Sequence, residues 1–205
     1  MSEHSITTVD ELYSVYKPPA ERAVQKELPR LDKHCRHFIA LSPFLVISTD
    51  GGDGTADASP RGDAPGFVTV LDDNTLALPD RPGNNRLDSL INILRNPAVG
   101  MIFLVPGINE TLRINGTATI STDPDLMKAH AVDGKLPRSV LLIKVTSAYM
   151  HCAKALIRSK LWAEESKVER NVFPTLGQVL ADQIAGMDAE QSDAYLEVAY
   201  KENLY

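Results

Sequence analysis

Aromatic residues are scarce. They make up 6% of the 205 residues and include one tryptophan, Trp162. An aromatic cage is therefore not how this chain would hold a ligand. Two cysteines, Cys35 and Cys152, are too few for a disulfide framework, so reduced thiols are expected. No apolar run approaches the ~20 residues that a bilayer span needs, and no membrane partner is expected. The first residues, MSEHSITTVDELY, lack a basic stretch followed by an apolar one. No secretory signal is expected, and the reading is of a cytoplasmic protein. Positive charge is in deficit, with 21 Lys and Arg against 27 Asp and Glu and a net charge of −6. Non-specific nucleic-acid binding depends on phosphate neutralisation and does not fit this balance. A local basic patch can still hold a small anion. Neither a Gly-x-Gly-x-x-Gly fingerprint nor a Walker loop is present, so a Rossmann nucleotide domain is not expected.

What is present is a hydrophobic content of 43%, enough for one domain with a real core. The chain divides into a helical segment at 1–34, a β-rich domain at 35–163 and a helical tail at 164–205. Thr8 or Asp10 can cap a helix running to Tyr16, and Pro18-Pro19 stops it. ERAVQKEL and the stretch Leu31–Ala40 predict two more helices. In the middle, Phe44–Ser48, Phe67–Leu71 and Thr75–Leu78 read as strands. The apolar run AVGMIFLV at 98–105 predicts a strand buried on both faces. TLRINGTATI at 111–120 alternates, with Leu112, Ile114, Gly116, Ala118 and Ile120 on one face. Ser139–Ser147 adds one more strand. About six strands joined mostly by short turns favour antiparallel pairing, and a closed or nearly closed barrel would remove the sheet edges. Helices are expected at about 85–95 and, with Pro124 leading, at 124–130.

Two stretches carry metal-type donors. His34, Cys35 and His37 with His151 and Cys152 hold zinc-type donors, but their spacing matches no usual ligand set. Asp50-Gly-Gly-Asp-Gly54 lacks the later ligands and closing glutamate of a calcium loop and reads as a turn. No metal site is expected.

The most informative stretch is Pro79-Asp-Arg-Pro-Gly-Asn-Asn-Arg-Leu-Asp-Ser89. A strand ends before it and Pro82-Gly83 forces a turn. Asn84 or Asn85 can then cap a helix whose free N–H groups suit a phosphate. Arg81 and Arg86 flank that start with planar forks of donors matched to phosphate oxygens. The alternative is a solvated turn in which the arginines pair with Asp80 and Asp88. Asp57-Ala-Ser-Pro-Arg-Gly62 adds Arg61 on a backbone of small residues that can pass close to a flat ligand, or else forms an ordinary loop. His151-Cys-Ala-Lys-Ala-Leu-Ile-Arg-Ser-Lys-Leu-Trp162 sets Lys154, Arg158 and Lys160 near the start of a helix, where they could equally balance an acidic surface.

In combination, TADASPRGDAPGFV, LALPDRPGNNRLDSLINIL, FLVPGINETLRINGTATI and HCAKALIRSKLW resemble the FMN-binding split-barrel proteins of the pyridoxamine-5′-phosphate-oxidase-like superfamily. The resemblance covers about residues 35–163. It lies nearest to a bacterial subgroup with ASPRG, GN-x-R-LDSL and HCAKAL blocks. It implies a six-stranded antiparallel split barrel with flanking helices that forms a homodimer, with FMN in a groove between the subunits. Residue by residue, it places Ser59 and Arg61 on the segment that approaches flavin and phosphate. Asn84, Asn85 and Arg86 match the position that grips the phosphate. Asp80 and Arg81 lie beside the ring or ribityl chain. Arg113 and Asn115 reach toward the flavin across the dimer. Lys154 and Trp162 lie on the segment that closes the pocket. The implied activity is that of an FMN-dependent oxidoreductase acting on a small substrate, with no catalytic acid or base singled out. The alternatives are a flavin-binding sensor, carrier or scavenger, and a barrel that has exchanged FMN for haem or a deazaflavin. The residues that hold pyridoxal phosphate in the vitamin B6 oxidase have no counterpart in these blocks, so that activity is not carried over.

Overall fold

The computed structural model describes residues 4–202 and 204–205. Three helices lead in: α1 (Val9–Val15), α2 (Glu21–Gln25) and α3 (Lys33–Leu41). Thr8 caps α1 in a capping box with Glu11, which satisfies two of the backbone donors that a helix start leaves free. Asp32 caps α3 by accepting from the amides of His34 and Cys35. Helix α3 buries Cys35, Phe38 and Ile39 against the sheet, whereas α1 and α2 bury no residue.

The strands are β1 (Phe44–Asp50), β2 (Ala56–Gly62), β3 (Thr69–Val70), β4 (Thr75–Asp80), β5 (Ala98–Leu104), β6 (Thr111–Ser121) and β7 (Ser139–His151). All pairings are antiparallel, and the order is β2-β1-β5-β6-β7-β4-β3. Among the described residues the sheet therefore has seven strands rather than six, and no ladder closes it into a barrel. Helix α4 (Asp88–Arg95) joins β4 to β5, and α5 (Pro124–Ala129), with Pro124 leading, joins β6 to β7. After β7 come α6 (Lys154–Ser159), two short 3-10 turns, α7 (Leu176–Gln183) and α8 (Ala189–Glu202). Interruptions between these helices fall near Pro174 and Gly186.

Three expectations are corrected. Residues 56–62, readable as an ordinary loop, form β2. Its Pro60 cannot donate to a ladder, and the strand tolerates it because β2 is an edge paired only to β1. The expected strand Phe67–Leu71 shrinks to Thr69–Val70. Strand β5 is not buried on both faces. Val99, Met101 and Phe103 are buried, whereas Ile102 is 41% exposed. A short apolar run does not reveal that one of its faces lacks a covering layer.

The core lies on the other face of the sheet. Leu45, Ile47, Met101, Phe103, Leu112, Ile114, Leu141 and Ile143 are each within 1% of complete burial. Each side chain of this size contributes about 1.5–3 kcal/mol by leaving water. The alternation foreseen along β6 holds, because residues of one parity meet this core. Its pairing with β7 shifts register between Asn115 and Gly116. There a Cβ on Gly116 would come within 2.2 Å of the Lys144 carbonyl oxygen, so the backbones approach as only glycine permits. Among the described residues, no helix is long and apolar enough to cross a membrane.

Candidate functional site

Strand β2 alternates, so Asp57, Ser59 and Arg61 share its less exposed face. Asp57 accepts a hydrogen bond from the Ser89 hydroxyl at 2.8 Å, which ties α4 to β2. Arg61 Nη1 donates to Asp80 Oδ1 at 2.6 Å, at the end of β4. Just beyond these residues, Arg81 Nε donates to Asp63 Oδ2 at 2.8 Å. Two ion pairs thus cross between strands that stand first and sixth in the sheet order. They bridge the gap that the hydrogen-bond ladder leaves open.

The Arg61–Asp80 and Arg81–Asp63 pairs are only 4–20% exposed at their side chains. Burial alone would raise the Asp63 carboxyl. Hydrogen bonds from Tyr205, the Ala64 amide and Arg81 outweigh it and hold the group below the usual carboxylate range. Arg61 spends one Nη1 proton on Asp80, while its Nε is buried and has no partner among the described residues. An orphaned buried donor costs about 1–3 kcal/mol, and such an atom marks a place where a ligand oxygen would be stabilised.

Over this seam lies a cavity of about 460 Å³ lined by Arg61, Asp80, the 81–87 loop, Leu90, Arg138 and Ser139. A second, of about 430 Å³, adjoins it and adds Ser59, Pro60 and Phe67. Four arginines, Arg61, Arg81, Arg86 and Arg138, line the first cavity, and Asp80, Asp63 and Asp88 pair with the first three, which leaves one positive charge in excess. That balance suits an anion, and the size is that of small-molecule sites.

The loop differs from the expected cap. Helix α4 begins at Asp88, and its N-cap position is Leu87, which makes no side-chain cap. Asn84 instead accepts from the Arg86 amide at 3.0 Å, and Asn85 takes φ 56°. Asparagine is among the few residues that tolerate that left-handed conformation. The two asparagines therefore shape the loop and leave the helix start uncapped. Arg86 pairs with Asp88, and this hydrogen bond raises the guanidinium above its ordinary value. Its side chain is 78% exposed, so the guanidinium is held loosely.

Of the residues singled out from the sequence, Ser59, Arg61, Asp80, Arg81, Asn84, Asn85 and Arg86 meet at these two cavities. Four others line neither. Arg113 lies over the Tyr149 ring at 5.3 Å, on the sheet face opposite the core. Asn115 donates to the Ser147 hydroxyl at 3.1 Å on that same face. Lys154 opens α6, and Trp162 Nε1 donates to the Ile108 carbonyl at 2.9 Å. Arg138, Asp63 and Tyr205 join the region without having been foreseen. Asp63 lies inside the TADASPRGDAPGFV block, two residues after Arg61, whereas no motif marks Arg138 and Tyr205, which distant segments bring in. Among the described residues, no three or more His, Cys, Asp or Glu side chains converge as metal donors.

Residues 31–152 match the family model described as pyridoxamine 5′-phosphate oxidase. Solved structures with a similar fold include HupZ from Group A Streptococcus, at 20% identity, covering 58% of this chain and 92% of that one, with a TM-score of 0.48. An FMN-binding protein from Syntrophomonas wolfei is 12% identical, covers 57% and 83% of the two chains, and has a TM-score of 0.46. A FAD-binding protein from Mesorhizobium loti is 15% identical, covers 60% and 97%, and has a TM-score of 0.42. No curated protein matches the chain. With the family model spanning more than half of the sequence, the chain belongs to the pyridoxamine 5′-phosphate oxidase family.

Proposed function

We propose that the chain is an FMN-binding flavoprotein, an oxidoreductase passing hydride or electrons between FMN and a small substrate. The observation that carries this reading is the four-arginine cavity with the buried, unpartnered Nε of Arg61. A phosphate dianion supplies acceptor oxygens for such a donor set. The residues present therefore fit the group. Arg61, Arg81 and Arg86 would hold the phosphate end, with Asn84 and Asn85 shaping the loop around it. Ser59 and Asp80 would border the ribityl chain or ring. FMN, when bound, supplies reversible one- and two-electron chemistry that side chains lack. The chain's own part is to fix the flavin, to exclude water with Phe67 and Leu90, and to orient a substrate over it.

The functional unit in this reading is a cytoplasmic homodimer. Phe44 and Ile102 are 38% and 41% exposed on β1 and β5, an apolar strip suited to a second copy. Arg113, Asn115, Lys154 and Trp162 would then approach the partner's cavity. No nucleic acid or membrane partner is invoked.

Titration of purified protein with FMN, followed by flavin fluorescence and absorption, tests the cofactor. Saturable binding with a shifted flavin spectrum is expected, and failure to take up FMN overturns the reading. A haem-type spectrum would select the haem alternative. Photoreduction of the complex, then mixing with oxygen and candidate acceptors, separates catalyst from carrier. Fast reoxidation specific to one acceptor is expected of the enzyme. Sedimentation tests the dimer, and a monomer that holds FMN tightly contradicts a shared site.

A further inference from the structure

The two half-buried arginines of the seam differ in how they are held. Arg81 has two acceptors among the described residues. One is Asp63, and the other is the His130 carbonyl, which Nη1 reaches at 2.7 Å. A guanidinium carries five N–H groups, so three remain uncommitted while the side chain lines both cavities. Each support of Arg81 is itself supported. The His130 ring is buried, with Nδ1 2.8 Å from the Leu126 carbonyl and Nε2 3.1 Å from the Thr69 hydroxyl. Asp63 Oδ1 accepts from the Ala64 amide and from the Tyr205 hydroxyl, both at 2.7 Å.

Tyr205 makes a second contact. The Arg81 guanidinium carbon lies 5.4 Å from the centre of its ring. One side chain from beyond α8 thus covers one face of the arginine and bonds its counter-ion. Hydrogen bonding to Asp63 raises the Tyr205 phenol above its ordinary value, so it remains a donor at neutral pH. Tyr205 lines neither cavity, so it touches the ligand space only through Arg81.

We propose that Tyr205 is a positioning residue that, together with Asp63, fixes Arg81 as the phosphate anchor of the cavity. Tyr205 thereby sets the preference for phosphorylated over unphosphorylated ligand. This rests on the FMN reading above. Arg81 suits the anchoring role better than Arg86, because a guanidinium fixed on both its ion pair and its face loses less freedom on binding. The exposed Arg86 must be ordered and drawn from Asp88.

The test compares FMN with riboflavin, which lacks the phosphate. Wild-type protein, Tyr205→Phe and Tyr205→Ala are titrated with each by flavin fluorescence, and folding is checked by circular dichroism. Wild type is expected to prefer FMN. In Tyr205→Ala, FMN affinity is expected to fall about tenfold, the combined scale of a cation–π contact and one hydrogen bond, with riboflavin affinity unchanged. Tyr205→Phe keeps the ring and is expected to lose about threefold toward FMN alone. A purely structural role would move both ligands together or neither. An unchanged FMN preference in Tyr205→Ala overturns the inference and leaves the FMN reading standing. Wild-type protein that binds both flavins equally overturns the phosphate assignment, and the inference with it.

Discussion

Arg61 and Asp80 form an ion pair of 2.6 Å between two strands that share no ladder hydrogen bond. Their side chains are 20% and 11% exposed, so water screens them only in part. The pair and its neighbour, Arg81–Asp63, turn the open gap of the sheet into a charged seam, and the candidate site sits on that seam. Asp80→Asn leaves Arg61 without its counter-charge. We expect a loss of about 2–3 kcal/mol, below the 3–5 of a fully buried pair, read by urea unfolding. A change under about 0.5 kcal/mol would show that the pair does not hold the seam.

Asp63 has a carboxyl held below its unfolded value. A depressed folded pKa contributes stability that is fully present above the unfolded value of 3.8 and is lost as pH falls through the lower folded value. Unfolding free energies measured between about pH 6 and pH 2.5 should therefore decline below about pH 4. Asp63→Asn should flatten part of that decline. An identical pH profile in the variant would show that the Arg81 and Tyr205 contacts do not stabilise the carboxylate.

Arg86→Ala removes an exposed guanidinium from the cavity rim. FMN binding is expected to weaken by about 1.5–3 kcal/mol, the range for a hydrogen bond to a charged group. Stability should scarcely change, since an exposed ion pair contributes little. Unchanged FMN affinity would remove Arg86 from the phosphate site.

The two thiols should react very differently. Cys152 is exposed. Cys35 is 3% exposed, and burial pushes its thiol up to about 11. A thiol-disulfide reagent at pH 8 should therefore modify one thiol per native chain quickly and the second only on unfolding. Two fast thiols would place Cys35 outside the core.

Gly116→Ala should be among the most damaging single-methyl changes. The added carbon would meet backbone, 2.2 Å from the Lys144 oxygen, and backbone cannot step aside as a side chain can. A loss of about 3 kcal/mol or more is expected in thermal or urea unfolding. A wild-type midpoint would show that the β6–β7 register can slip to accommodate it.

Local signals were legible where chemistry and geometry share a short stretch. Thr8 and Pro124 mark helix starts because capping and the proline N1 preference act over three or four residues. The alternation of 111–120 shows one face of β6 because side chains on a strand change sides at every residue. The loop 79–89 stood out as an anion candidate because turn formers and arginines fall together. Strand β2 was harder to see. Its proline and small side chains carry a weak strand signal, and pairing to β1 overrides it. The missing cap on α4 was hidden because Asn84 bonds within the loop rather than to the helix, a choice between two local hydrogen bonds that spacing cannot decide.

Side-chain chemistry along the chain fixes the alternation of buried and exposed residues on β6, the helix starts at Thr8 and Pro124, and the arginine-bearing loop. These follow from side-chain chemistry read over one or two turns of chain. Which distant residues meet is set by the packed fold. The order of the strands sets β2 and β4 far apart in the ladder, and the fold brings Arg61 to Asp80 and Arg81 to Asp63 across the gap. It also brings Tyr205, 142 residues along the chain from Asp63, onto the same pair. Such contacts cost loop-closure entropy that grows only slowly with separation, so length does not forbid them. No local pattern announces them, because their energy is realised only once the core has set the distances.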